Sequence, residues 1–246
     1  MMQKTKEILM AHPKALLFDV FGTVVDWRSG ISSAVSEIAK KIGHSVDPEA
    51  FADAWRGLYQ PSMQEVRDEK RPFTILDVLH RESLHTVLSQ FSFPELSTED
   101  EQFLVTAWHR LNGWPDATDG LAALKQHYII APQSNGNIAL IVNMAKHSQL
   151  GWDLVLGAEV VSHYKPCPEA YVIACEKLGL SPQECMMVAA HNDDLAAAKA
   201  QGMMTAFILR PHEHGKGQKT DLKAEGAWNY CADDFLDLAR QLEADR

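Results

Sequence analysis

Residues 15–18, Ala-Leu-Leu-Phe, form an unbroken apolar run that stops at Asp19. A strand buried on both faces reads this way, so the pattern predicts a central parallel strand with Asp19 at its C-terminal end, where open α/β sheets carry their reactive groups. Strand patterning then vanishes until Tyr128. In between, Ile31, Val35, Ile38 and Ile42 recur at helical spacing and stop at Gly43, and Phe51, Ala54, Trp55 and Leu58 follow an Asp47-Pro48 start signal. Two more helices are predicted over 73–88 and 98–111, giving four helices inserted after the first strand.

From Trp114 onward the period alternates. Helices are predicted over 121–126, 138–147, 169–178 and 194–200, the last ended by Gly202, with strands over 128–131, 154–156, 186–189 and 205–209. Strands alternating with helices imply a parallel sheet with helices on both faces. The expected fold is therefore α/β: a Rossmann-like core from residues 1–28 and 112–246, with a helical cap subdomain over 29–111. Residues 211–217, rich in His, Gly and Lys, read as a solvated loop.

Composition narrows the partners. With 23 Lys plus Arg against 33 Asp plus Glu, the formal charge of the 246-residue chain is -10, which disfavours nucleic acid, so an anionic substrate needs a local basic pocket. The N-terminal stretch, with Lys4, Lys6 and His12, lacks the apolar core of a secretory signal, and no later stretch is long and apolar enough to span a bilayer. A cytoplasmic location without membrane association is expected. Cys167, Cys175, Cys185 and Cys231 show no metal-binding spacing; Cys167 and Cys185 could approach at converging strand ends, with reduced thiols expected in that compartment.

The strand ends carry complementary chemistry. Asp19-Val20-Phe21-Gly22-Thr23 follows the first strand, and Gln133-Ser134-Asn135-Gly136-Asn137 follows the second, just before a helix whose free N–H groups favour an anion. Lys165-Pro166 supplies a positive charge able to keep a neighbouring carboxylate ionised. The cluster 188–195 carries His191, Asn192, Asp193 and Asp194.

Asp-x-x-Gly-Thr after a strand resembles the first motif of the haloacid dehalogenase superfamily, and Lys165-Pro166 its third. Phosphatases of that superfamily carry a second Asp two positions after the first, to protonate a leaving alkoxide; here that position is Phe21, and a halide needs no proton to leave. Ala190 stands where a Mg²⁺-dependent phosphatase has its principal metal-binding Asp, and a methyl group cannot ligate Mg²⁺. Both departures point to the type II 2-haloacid dehalogenases, which the chain resembles over nearly its whole length.

That resemblance implies Asp19 as nucleophile, with Thr23, Ser134, Lys165 and Asp194 orienting it and Tyr171 joining through its hydroxyl. Ser134 and nearby amides would hold the nucleophile or the substrate carboxylate, while Arg56 from the cap and Asn135 would bind the halide beside Phe21. Asp19 would displace halide from a small haloacid with inversion, and water oriented by Asp194 and Lys165 would hydrolyse the ester; no cofactor and no metal are implied. Ala189, His191 and Asp193 replace the serine, asparagine and tryptophan of better-known members. His191, as a donor or a cation, suggests haloacetates including fluoroacetate as substrates. The resemblance also suggests a homodimer, with Trp55, Leu58 and Phe73 as apolar cap surface. Two rivals remain: a phosphatase of the same superfamily, and an idle anion-binding homologue.

Overall fold

The computed structural model describes residues 12–246, so the reading of Lys4 and Lys6 lies outside the described residues. β1 (Ala15–Phe18) is fully buried and sits in the middle of a six-stranded sheet with β2 (Ile129–Ser134), β3 (Leu156–Gly157), β4 (Cys185–Ala189), β5 (Met204–Ile208) and β6 (Tyr230–Ala232). The order is β3-β2-β1-β4-β5-β6 and every pairing is parallel, with Phe18 opposite Pro132 on one side and Val188 on the other. This is the expected α/β fold. Because β1 lies between β2 and β4, the chain winds outward in both directions from it, which opens a crevice beyond its C-terminal end.

Successive residues of β1 point to opposite faces. Leu16 and Phe18 join one apolar cluster with Ile130, Met186 and Val188; Ala15 and Leu17 join another with Ala131, Met187 and Ala189. The first cluster continues without interruption into the helices between β1 and β2, through Trp27, Val35, Phe51, Trp55 and Trp108.

Those helices are α1 (Trp27–Ile42), α2 (Pro48–Gly57), α3 (Tyr59–Arg67), α4 (Leu76–Gln90) and α5 (Thr98–Val105), followed by a 3₁₀ turn over Thr106–Arg110. α1 and α2 are capped by Asp26 and Asp47, whose carboxylates accept first-turn N–H groups. α3 is absent from the hydrophobic pattern, and Pro61 in its first turn, where no intrahelical N–H is needed, was the available signal. The helix predicted over 98–111 tightens at Thr106, whose hydroxyl donates to the Gln102 carbonyl and competes with the regular ladder. Trp55 is not surface: it is 1% exposed and packs edge-on against Phe51 and Trp108.

On the sheet side, α6 (Ala117–Lys125), α7 (Ile138–Ser148), the single turn α8 (Ala158–Val161), α9 (Pro168–Lys177) and α10 (Asn192–Ala200) connect the strands. Beyond Leu209 the sequence reading assigned no strand or helix. The structure adds β6 and α11 (Phe235–Ala244), which is capped by Asp234 and buries Phe235, Leu238 and Leu242 on one face. All four cysteines are free, and Cys175, not Cys167, is the hydrogen-bonded neighbour of Cys185. Among the described residues no helix is long and apolar enough to cross a membrane.

Candidate active site

Asp19, one residue past β1, is 8% exposed, and its N–H donates to Val188 O across the sheet. Lys165 Nζ donates to its Oδ1 at 2.8 Å, Thr23 Oγ1 donates to Oδ2 at 2.8 Å, and His191 Nδ1 stands 3.2 Å from Oδ2. Thr23 in turn accepts from the Ala190 N–H at 2.9 Å, which ties the β1 loop to the end of β4. Lys165 also donates to Asp194 Oδ2 at 2.5 Å, and Tyr171 donates its hydroxyl to Asp194 Oδ1 at 2.6 Å. One ammonium thus bridges two buried carboxylates. Asn135 Oδ1 accepts the Lys165 N–H at 2.7 Å and Arg67 Nη1 donates to the Lys165 carbonyl, fixing that lysine from two sides.

The electrostatics separate the two carboxylates. Burial would raise Asp19, but Lys165 and His191 overcome it and hold the carboxyl far below the usual range. Asp194 goes the other way: burial, reinforced by the Asp19 charge, outweighs Lys165 and Tyr171 and lifts its pKa. Burial opposes the Lys165 charge, yet Asp19 and Asp194 keep its pKa raised. A permanently ionised carboxylate beside one with higher proton affinity is an arrangement for a nucleophile and a base.

Across the cavity lies Arg56 on α2. Its guanidinium carbon is 4.0 Å from the centre of the Tyr59 ring and 5.4 Å from Trp27, and its Nη1 is buried with no hydrogen-bond partner among the described residues. An unpaired buried guanidinium N–H is costly, so this geometry suits an incoming anion. The cavity is about 390 Å³ and its walls include Asp19, Arg56, Asn135, Lys165, Tyr171 and His191, with Asp194 beside them. Three residues predicted for the site stand back from it. Thr23 is fully buried behind Asp19, between that carboxylate and the Ala190 N–H, Phe21 is buried edge-on to Tyr59 and Trp108, and Ser134 Oγ accepts from Gly136 N–H rather than meeting Asp19.

The sequence reading missed Glu213. In the segment expected to be a solvated loop this carboxylate is 1% exposed, accepts from Trp27 Nε1 at 3.0 Å, and lies 3.0 and 3.1 Å from His191 Nε2. Both ring nitrogens of His191 therefore face carboxylates, leaving neither for a halide. No periodicity marks a single acid in a loop, so the pattern held no signal for it. Asn192 was also missed: its side chain bonds Asp221, Lys223 O, Glu225 N–H and Trp228, pinning the segment that walls the cavity mouth.

Behind Arg56, His80 is 2% exposed, stacked 4.3 Å from Trp108, and neither ring nitrogen has a partner among the described residues. Burial, with a smaller contribution from Arg56 against the opposing Asp77, pushes its pKa down to about 3. Below about pH 6.5 the unfolded chain takes up a proton that the folded chain refuses, so stability falls as pH drops from there toward 3. In chemical denaturation, His80→Leu is expected to lose about 2–3 kcal/mol less than wild type between pH 6.5 and 4.5. Parallel stability curves would contradict this.

The model of the haloacid dehalogenase-like hydrolase family matches residues 13–202, and the chain belongs to that family. It is 32% identical over 200 residues to (S)-2-haloacid dehalogenase 4A of Burkholderia cepacia, covering 80% of this chain and 83% of that protein. Among solved structures it resembles a defluorinating L-2-haloacid dehalogenase at 48% identity and TM-score 0.92, covering 94% of this chain and 95% of the other. A second L-2-haloacid dehalogenase matches at 46% and 0.91, covering 94% and 99%.

Proposed function

We propose that the protein hydrolyses short 2-haloacids, haloacetates and L-2-halopropionates, to 2-hydroxy acids through an ester on Asp19, fluoroacetate being among its substrates. The observation that carries this reading is the pair of opposed carboxylates joined by Lys165, facing across the cavity an Arg56 guanidinium whose Nη1 has no partner among the described residues. Asp19, ionised and buried, attacks the carbon bearing the halogen. Arg56 Nη1 and the Asn135 amide receive the halide, and Tyr59, backed edge-on by Phe21, supplies the apolar wall. Water then adds to the aspartyl carbonyl with Asp194 as general base, Lys165 and Tyr171 holding that carboxylate in place. Thr23 orients Asp19, and Ser134 shapes the turn that presents Asn135. The cation between the carboxylates is an ammonium, so the residues call for no cofactor.

The 48% identity to a defluorinating relative supports fluoride release. Fluoride is the halide most dependent on hydrogen-bond donors as it leaves, and an arginine fork supplies two where lysine supplies a point charge. Halide release from chloroacetate, fluoroacetate and both 2-chloropropionate enantiomers, with EDTA present, tests the reading beside a Mg²⁺-supplemented aryl phosphate. Release from the acetates and the L-enantiomer is expected, and Arg56→Lys should lower kcat/KM for fluoroacetate at least about 10-fold more than for chloroacetate. Phosphate release without halide release would overturn it in favour of a phosphatase.

A further inference from the structure

In the dehalogenase reaction proposed above, on which this inference rests, ester hydrolysis needs a proton donor. Halide leaves without taking a proton, but hydrolysis of the Asp19 ester must expel the 2-oxygen of the hydroxy acid, and an alkoxide is a poor leaving group near neutral pH. The position that serves this purpose in the related phosphatases is Phe21. We infer that His191, protonated and oriented by Glu213, is the general acid that delivers this proton.

His191 stands on the nucleophile's own side of the attacked carbon. In-line displacement puts the halide on the far side of the attacked carbon from the aspartate oxygen. His191 Nδ1 is instead beside that oxygen, 3.2 Å from Oδ2, the oxygen that also receives Thr23. The geometry makes Oδ2 the ester oxygen and leaves Oδ1 as the carbonyl oxygen, 2.8 Å from Lys165 Nζ, where a developing oxyanion meets a fixed positive charge.

Glu213 explains how the proton survives the first step. In the free enzyme His191 lies between two carboxylates, but esterification erases the charge on Asp19. With Asp19 alone as partner the buried imidazolium would then lose its proton; Glu213, on Nε2, keeps its charge through both steps. The fold makes room for this carboxylate at the nucleophile motif itself. Gly22 has φ +88°, and a Cβ there would lie 2.0 Å from Glu213 Oε1.

Asp194 takes one proton from water as the hydroxyl adds to Cγ of Asp19. The tetrahedral adduct breaks its Cγ–Oδ2 bond while His191 Nδ1–H protonates the departing oxygen, releasing the neutral hydroxyl of the product. Asp19 is left as a carboxylic acid, which returns its proton to His191, and Asp194 passes its proton to solvent. One water is consumed, and one halide ion and one proton are released per turnover.

The groups facing His191 are Asp19 from the β1 loop and Glu213 from the segment after β5, and Glu213 in turn feels His214, 3.6 Å away, and the Arg56 charge. Burial works against the His191 charge, and Glu213 and Asp19 outweigh it, so the ring holds its proton well above the ordinary histidine range. Glu213→Gln keeps the shape and removes the charge; His191→Asn keeps a hydrogen-bond donor and removes the transferable proton.

Rapid-quench kinetics with chloroacetate, followed by intact-mass analysis, tests the inference. Both variants should release about one halide per site in the first turnover at near wild-type rate, then turn over about 10²-fold more slowly with the ester-linked enzyme accumulating. In Glu213→Gln the defect should deepen as pH rises, because its imidazolium loses the proton earlier, whereas a merely structural role would leave the pH profile unmoved. Equal loss of burst and turnover, or turnover within about twofold of wild type, would overturn the assignment of His191 and leave the dehalogenase reading standing. Failure of the wild type to release any halide would overturn both.

Discussion

Asp19→Asn is expected to abolish halide release, by roughly 10³-fold or more, while leaving the protein folded. An amide is a far weaker nucleophile at a saturated carbon than a carboxylate. The substitution also strips Lys165 and His191 of the anion they share, so neither the charge nor the geometry of the attack survives. Halide electrode traces with chloroacetate measure it directly, and release within about tenfold of wild type would exclude Asp19 as the nucleophile. The opposed pKa shifts add a signature in the wild type. Asp19 is held below the usual range and Asp194 above it, so on acidification Asp194 protonates first. The base acts only when deprotonated, so as pH falls ester hydrolysis should fail before the first-turnover halide burst does.

The largest effect on stability is expected at Asp116. Its carboxylate receives Arg210 in two parallel bonds of 2.7 and 2.8 Å and also accepts Phe235 N–H, while the guanidinium packs over the Phe235 ring and donates Nε–H to Thr23 O. Arg210 is 6% exposed. Asp116→Ala leaves that cation buried without its partner, at a cost of about 3–5 kcal/mol, and each kcal/mol lowers Tm by about 2–4 °C in a chain of this size. Thermal denaturation should therefore show a drop of roughly 6–20 °C. The double variant Asp116→Leu with Arg210→Met should recover much of it, since replacing both charges removes the uncompensated one. The cluster of half-buried Arg28 with the exposed carboxylates of Asp53 and Glu49 offers the contrast, with less than about 1 kcal/mol expected from removing either carboxylate. A small shift for Asp116→Ala would mean that water reaches Arg210.

What the sequence made legible follows a physical division. Ala15–Phe18 could be read because burial on both faces leaves a continuous apolar run, and Lys165 and Asp194 because each sits at a fixed place relative to a strand or helix start. β3 shrank to two residues, Leu156–Gly157, because an edge strand needs few ladder bonds and leaves little pattern. α11 was missed although Phe235, Leu238 and Leu242 have helical spacing behind an Asp234 cap, a signal that was present and unused. Glu213 was beyond reach for another reason. Its burial comes from Trp27 and His191, which lie 186 and 22 positions away, and no local pattern encodes a partner brought in by tertiary folding.

The uninterrupted apolar cluster running from the sheet face through Trp27, Val35, Phe51, Trp55 and Trp108 makes the helical layer a fixed wall and not a door. Swinging it away would wet several tryptophan and phenylalanine faces, each worth about 1.5–3 kcal/mol when buried. Substrate must therefore enter by the standing mouth beside Gln60 and Thr220. A wall of this kind leaves the polar side chains at the mouth, and not the helical layer, as the elements past which small molecules enter and leave.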